Sequence, residues 1–140
     1  MSDDFQTIAD DLFAATGASR TTIRLDRPDA IFPVVAEALA PGVNSLIGPS
    51  PIDLKGAATF KYLDETHGEL IQTDFLDVEH PPPAELIQLY GARAQMLHAV
   101  VKDGKMVGII SVHYSPGPRE WTEAEIAALR DAARRTEALL

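Results

Sequence analysis

The segment from Met96 to Tyr114 constrains this chain more than any other. Met96-Leu97-His98-Ala99-Val100-Val101 and Met106-Val107-Gly108-Ile109-Ile110-Ser111-Val112-His113-Tyr114 flank the four residues Lys102-Asp103-Gly104-Lys105. Two apolar runs joined by an Asp-Gly pair predict an antiparallel hairpin, because a type I′ turn matches the right-handed twist of paired strands. Side chains alternate across a strand. Val107, Ile109, Ser111 and His113 are therefore expected on one face, and Ile110, Val112 and Tyr114 on the other. The second face is the more uniformly apolar, so it is predicted to lie under helices.

The rest of the chain supplies those helices. Phe5, Ile8, Ala9, Leu12 and Phe13 follow helical spacing within an amphipathic segment over 3–16. Asp3 and Asp4 favour its N-terminal dipole, and Gly17 suits its end. At the other end, Thr122 and Glu125 form a capping box, and Trp121 and Ile126 stand at staple positions. Ile126, Leu129, Ala133 and Leu140 mark the apolar stripe of that last helix, and Arg130, Arg134 and Arg135 sit toward its C-terminal end. Between the helices, 20–26 reads as a half-buried strand and 32–38 as its hairpin partner. Residues 40–55, with Pro41, Gly42, Gly48, Pro49 and Pro51, form a long irregular loop of the kind that is usually functional or mobile. A short helix over 57–63, a short strand over 68–74 and a two-turn helix after Pro81-Pro82-Pro83, carrying Leu86, Ile87, Leu89 and Tyr90, complete the order.

Composition narrows the chemistry. At 140 residues, one domain is expected, large enough to need no disulfide or metal. Cysteine is absent, which excludes disulfides, thiolate ligands and a cysteine nucleophile. The net charge of −9 opposes nucleic-acid binding. The start Met1-Ser2-Asp3-Asp4 lacks the basic region of a signal peptide, and no apolar run is long enough to span a bilayer, so a cytoplasmic protein without a membrane partner is expected.

Runs of helix and antiparallel strand in this order argue an α+β fold. The order resembles that of the GAF domain family, and three segments are similar in wording. These are Thr16-Gly17-Ala18-Ser19-Arg20 at the helix-to-strand junction, Val107-Gly108-Ile109-Ile110-Ser111-Val112-His113 in the central strand, and Pro118-Arg119-Glu120-Trp121-Thr122-Glu123-Ala124-Glu125-Ile126 leading into the last helix. The resemblance covers nearly the whole chain. It implies a GAF-like, PAS-related central antiparallel sheet with the terminal helices on one face, and loops and short helices over a ligand pocket on the other. It further implies a small-molecule ligand (members take cyclic nucleotides, bilins, haem or other small organic molecules) and a homodimer formed through the terminal helices. Departures narrow the list: without cysteine there is no thioether-linked bilin and no free-methionine sulfoxide reductase chemistry. The Asn-Lys-Phe-Asp-Glu motif of cyclic-nucleotide members is also absent, and Ala99 stands where many members carry proline.

On this reading Ser111 and His113 point into the pocket, with His98 of the partner strand nearby, and Phe60, Tyr62, Asp74 and Tyr90 are the remaining candidate ligand contacts. For each there is a plainer role: Phe60, Tyr62 and Tyr90 as packing, Asp74 as a turn or cap, the histidines as hydrogen-bonded strand residues. His67, His80, His98 and His113 are scattered with no metal-binding spacing, and no catalytic triad or phosphate loop is legible. The expected function is a stand-alone sensor that binds a small organic ligand of unidentified class and signals through its terminal helices or a protein partner. The alternatives are an interaction module with a filled pocket, and an enzyme using His113 or His98 as a base.

Overall fold

The computed structural model describes residues 4–47, 54–75 and 91–140. The elements are α1 (Phe5–Thr16), β1 (Arg20–Leu25), β2 (Val34–Leu39), α2 (Ala58–Thr66), β3 (Glu69–Gln72), β4 (Ala94–Lys102), β5 (Lys105–Tyr114) and α3 (Glu123–Ala138). The five strands form one antiparallel sheet in the order β2-β1-β5-β4-β3. The helix expected around Leu86 to Tyr90 lies outside the described residues, as do positions 48–53 of the loop expected over 40–55.

Local chemistry accounts for the element ends. Asp4 caps α1 by accepting from the Thr7 amide at 2.7 Å, and Gly17 closes it at φ +57°, a conformation glycine adopts without steric cost. In the β4–β5 turn Asp103 and Gly104 take φ of +54° and +76°, the double positive φ of a type I′ turn. The Thr122 hydroxyl accepts from the Glu125 amide, and the Glu125 carboxylate accepts from the Thr122 amide, completing the capping box. Arg119 locks this end of the molecule. Its guanidinium donates to the Thr16 carbonyl and the Glu125 carboxylate, and lies 4.8 Å and 4.6 Å from the ring centroids of Tyr114 and Trp121.

The sheet carries a core on each face. Ile8, Ala9 and Leu12 of α1 and Leu129, Ala132 and Ala133 of α3 pack on Ile23, Leu25, Met96, Val100, Ile110 and Val112. On the other face Phe60 and Leu63 of α2 pack with Phe32, Leu70, Leu97, Ala99, Met106 and Ile109. Two expectations need correction here. β1 is buried along its whole length, not half-buried, because both of its faces are covered. Val107 does not share the face of Ile109. Val100 pairs with Gly108 and Val101 with Met106, so Val107 is an extra residue in β5. This bulge reverses the alternation, and Val107 packs with the helix-side core while Met106 joins the opposite one.

Gly108 sits beside that bulge. A Cβ there would fall 2.5 Å from the Arg24 carbonyl oxygen and 2.7 Å from Leu25 Cδ2. Only glycine permits this approach of β5 to β1.

Candidate functional site

The face opposite the terminal helices carries an uncommon set of side chains. Cross-strand partners share a face, so the register lines up Arg20 of β1, His113 of β5, Gln95 of β4 and Gln72 of β3 in one row. All four are buried, between 1% and 4% exposed. The neighbouring row sets Thr22 against Ser111, also buried, and Arg24 follows at 5% exposure. Polar and charged groups are seldom buried unless they bond to something. Here Gln95 Nε2 donates to Gln72 Oε1 at 2.7 Å, Arg24 Nη1 to the Phe32 carbonyl at 2.9 Å, and Arg20 Nη2 to the Asn44 carbonyl at 2.8 Å. The Thr22 hydroxyl and His113 Nδ1 have no hydrogen-bond partner among the described residues.

A cavity of about 40 Å³ opens over this floor. Arg24, Gln95, Ser111 and His113 of the sheet and Thr59 of α2 are its polar lining, and Leu54, Phe60, Leu63, Leu97 and Ile109 its apolar lining. That space holds a few water molecules, far below the roughly 300–1,000 Å³ of a pocket for a drug-sized ligand. Phe32 braces the wall. Its backbone takes φ +46° and its ring meets Phe60 edge-on at 5.1 Å. At the outer end of the floor, Arg20 lines a wider groove of about 490 Å³ with Asn44, Leu46, Gly91 and Ser115.

Burial drives the His113 pKa from its ordinary 6.5 down to about 3, and the charges of Arg20 and Arg24 push the same way. The ring is thus a neutral donor or acceptor at physiological pH, in a field of positive sign. Glu37 pairs with Thr22 across the β1–β2 ladder, but its carboxylate accepts from the Ser45 hydroxyl and from the Leu46 amide at 2.8 Å, so it is committed to the loop after β2.

The expected site residues fall into distinct places. Ser111, His113 and Phe60 come together around the cavity. Tyr62 packs at the edge of the same core and is not part of the lining. Asp74 lies past the end of β3, where both its oxygens bond Arg93 at 2.9 and 3.3 Å, raising the Arg93 pKa. His98 is not near Ser111 and His113. It pairs with Ile110, which turns it to the helix side, into a groove with Arg130, Arg134 and Glu137 of α3. Tyr90 lies outside the described residues. No group of three or more metal-ligating side chains occurs among the described residues.

Thr22, Arg24, Arg20, Gln95 and Gln72 were missed by sequence reasoning. The alternation of Arg20, Thr22 and Arg24 against Thr21, Ile23 and Leu25 does mark a polar stripe, but it reads as a solvent face. Thr21 faces the helices instead, donating its hydroxyl to the Ala9 carbonyl at 2.8 Å.

Comparison with known proteins bears on this architecture. The family model for the GAF domain matches residues 1–140. No curated protein matches. Among solved structures, the blue-light absorbing form of the Thermosynechococcus elongatus PixJ GAF-domain is similar at 20% identity and a TM-score of 0.70, over 96% of this chain and 83% of that one. A JSC1_58120g3 far-red absorbing dark state with bound biliverdin is similar at 18% identity and 0.73, over 96% and 88%. The chromophore-binding domain of Stigmatella aurantiaca bacteriophytochrome is similar at 17% identity and 0.74, over 96% of this chain but 52% of that one, so this chain spans about half of it. At these identities the likeness concerns the fold.

Proposed function

Since the chain belongs to the GAF domain family, we propose that it is a small-molecule sensor domain whose ligand sits on the sheet face opposite the terminal helices. One observation carries this reading. A cavity lies over buried polar side chains; His113 of its lining leaves Nδ1 without a partner among the described residues, as does the hydroxyl of Thr22, the register partner of the lining residue Ser111. Leaving such a group unbonded costs about 1–3 kcal/mol, a cost that makes sense where a ligand completes the set. The similar chains described as chromophore-binding or biliverdin-bound support an organic ligand on this fold. A cysteine-linked bilin is excluded for this chain. A ligand larger than this cavity requires displacement of α2, which supplies Thr59, Phe60 and Leu63 to the lining and has no side-chain cap at its N-terminus.

Output leaves through α3. Gln95 of the cavity bonds Gln72, the Gln72 carbonyl accepts from Trp121 Nε1 at 3.2 Å, and the Thr73 carbonyl accepts from the Arg119 amide at 2.9 Å. Trp121 and Arg119 stand at the start of α3, and Arg119 also holds the end of α1. A ligand that moves the floor thereby moves the junction of both terminal helices. These helices are the surface for a homodimer or a signalling protein partner. Their large apolar side chains already pack on the sheet, which leaves smaller contacts and the exposed Leu139 and Leu140 for a mate. Among the described residues no helix is long and apolar enough to cross a membrane. It is not read as an enzyme. A histidine with a pKa near 3 is a poor general base at neutral pH, and His98 is on the other face.

The test is a thermal-shift screen of metabolites, nucleotides and haem on the whole chain. A ligand at a hundredfold excess over its Kd adds about 2.7 kcal/mol of apparent stability, and a true ligand should also change the emission of Trp121, the single tryptophan. A broad screen with no stabiliser would reject the reading. It would favour the second one, an interaction module with a filled pocket, which the 40 Å³ volume already supports. Light scattering that finds only a 15.2 kDa particle at all concentrations would reject the homodimer.

A further inference from the structure

We propose that Phe32 is a strained latch that holds α2 closed over the cavity, and that α2 and the β1–β2 loop open together. The proposal goes beyond the sensor reading and concerns the chain without a ligand, so either can fail alone. Three observations carry it. First, Phe32 takes φ +46°, a region that bulky side chains rarely occupy. It also precedes Pro33, and a proline biases the residue before it toward extended backbone. Such a conformation persists only where its surroundings hold it. Second, the holding contacts come from the cavity lining. The Phe32 ring is 2% exposed and meets the Phe60 ring of α2 edge-on at 5.1 Å. The Phe32 carbonyl accepts from Arg24 Nη1 at 2.9 Å, and both Phe60 and Arg24 line the cavity. Its own loop holds it less firmly, since the Phe32 amide reaches Asp26 Oδ1 only at 3.5 Å. Third, α2 is the wall able to move. Of its nine residues Thr59, Phe60 and Leu63 are buried, and Ala57 supplies no side-chain cap. The strands beneath it are bonded into one sheet.

Strain and packing oppose each other here. While α2 is closed, the burial of the Phe32 ring against Phe60 keeps the backbone at positive φ. When α2 lifts, the ring is uncovered and φ can return to the extended region. The strain released offsets part of the apolar burial that opening gives up. Opening of α2 is thereby a local event below the energy of global unfolding, and it carries the β1–β2 loop with it. The cavity gains one defined mouth, at the Phe32–Phe60 contact.

The experiment combines urea unfolding with native-state amide hydrogen exchange on the full chain. Phe32→Ala and Phe32→Gly lose the same ring and differ only in the Cβ that positive φ disfavours. Phe32→Gly is expected to have a folding constant about fivefold larger than Phe32→Ala, the reverse of the usual order of these two residues. Equal constants, or the usual order, overturn the strain. In the wild type, α2 amides should exchange faster than those of β4 and β5. Phe32→Leu keeps apolar bulk but loses the aromatic pair, and should speed α2 exchange about threefold to tenfold more than β4–β5 exchange. Phe60→Leu should in turn speed exchange of the Leu25 amide, which donates to the Pro33 carbonyl at 3.3 Å and reports on the end of the loop. An α2 that exchanges no faster than β4 and β5, equal effects of Phe32→Leu on both, or a Leu25 amide unmoved by Phe60→Leu overturns the latch. Both leucine variants keep an apolar side chain, so these comparisons decide the matter even where a truncated variant does not fold. The metabolite screen judges the sensor reading separately.

Discussion

Lowering the pH from neutrality asks His113 to accept a proton in a place that resists it. The ring is buried, both guanidinium groups beside it are positive, and its pKa falls from 6.5 to about 3. In the unfolded chain the imidazole titrates normally. Between pH 6.5 and 3 the unfolded state therefore binds more protons than the folded state, and stability must rise with pH across that window. Seen from the neutral side, stability is intact above pH 6.5 and is lost progressively as pH falls, until the folded ring itself protonates near 3. The loss attributable to this one residue is about 1 kcal/mol at pH 5.5 and roughly 3 kcal/mol at pH 4.5, with a limit of about 5 kcal/mol. A domain holds only about 5–15 kcal/mol in total, so His113 alone can set the acid limit of the fold. The assay is urea unfolding at a series of pH values on wild type and His113→Gln, which keeps a hydrogen-bonding side chain but cannot titrate. Carboxylates and the other histidines are common to both proteins and cancel in the difference. The stability gap between the two should change by roughly 3 kcal/mol between pH 7 and pH 4.5, to the disadvantage of wild type. Parallel curves, or a gap that moves the other way, would refute the picture of a neutral, desolvated imidazole.

Three further outcomes follow from the packing. Gly108→Ala places a methyl 2.5 Å from a backbone oxygen that cannot rotate away, so it should cost about 3 kcal/mol or more in denaturant unfolding and perturb β1–β5 amide exchange first. Thr122→Ala removes half of the α3 capping box and should lower stability by about 1 kcal/mol, with no change in the cavity. Arg119→Met keeps an unbranched, flexible side chain but loses the bonds to the Thr16 carbonyl and Glu125 and the stacking on Trp121; it should cost roughly 2 kcal/mol and shift Trp121 emission, whereas an unchanged spectrum would separate Arg119 from the helix junction.

The elements that could be read from sequence are those whose signal is local. Asp4 and Gly17 bound α1, Asp103-Gly104 sets the β4–β5 turn, and Thr122 with Glu125 starts α3, because each motif satisfies backbone groups a few residues away. Two of the corrections, Val107 and His98, arise where a distant strand decides. Val107 changes face because β5 must accommodate an extra residue beside Gly108, and that glycine was itself a sign of a bulge or a close backbone approach. His98 could not be placed from its own strand at all. Its face depends on which residue of β5 it opposes, and Ile110, not Ile109, is that partner.

The site shows the same limit in its sharpest form. Ser111 and His113 were legible because their strand has one uniformly apolar face, which leaves the other face for polar groups. Arg20, Thr22 and Arg24 follow the same alternation on β1, yet charge at every second position is the ordinary mark of a strand face in water. What buries them is the position of β1 between β2 and β5, a fact of topology that no window of β1 contains. A fold that buries the Thr22 hydroxyl and His113 Nδ1 with no hydrogen-bond partner among the described residues gives up stability that an apolar face would have kept. That sacrifice, on the face that holds the cavity over Ser111 and His113, is the physical reason to look for a ligand there.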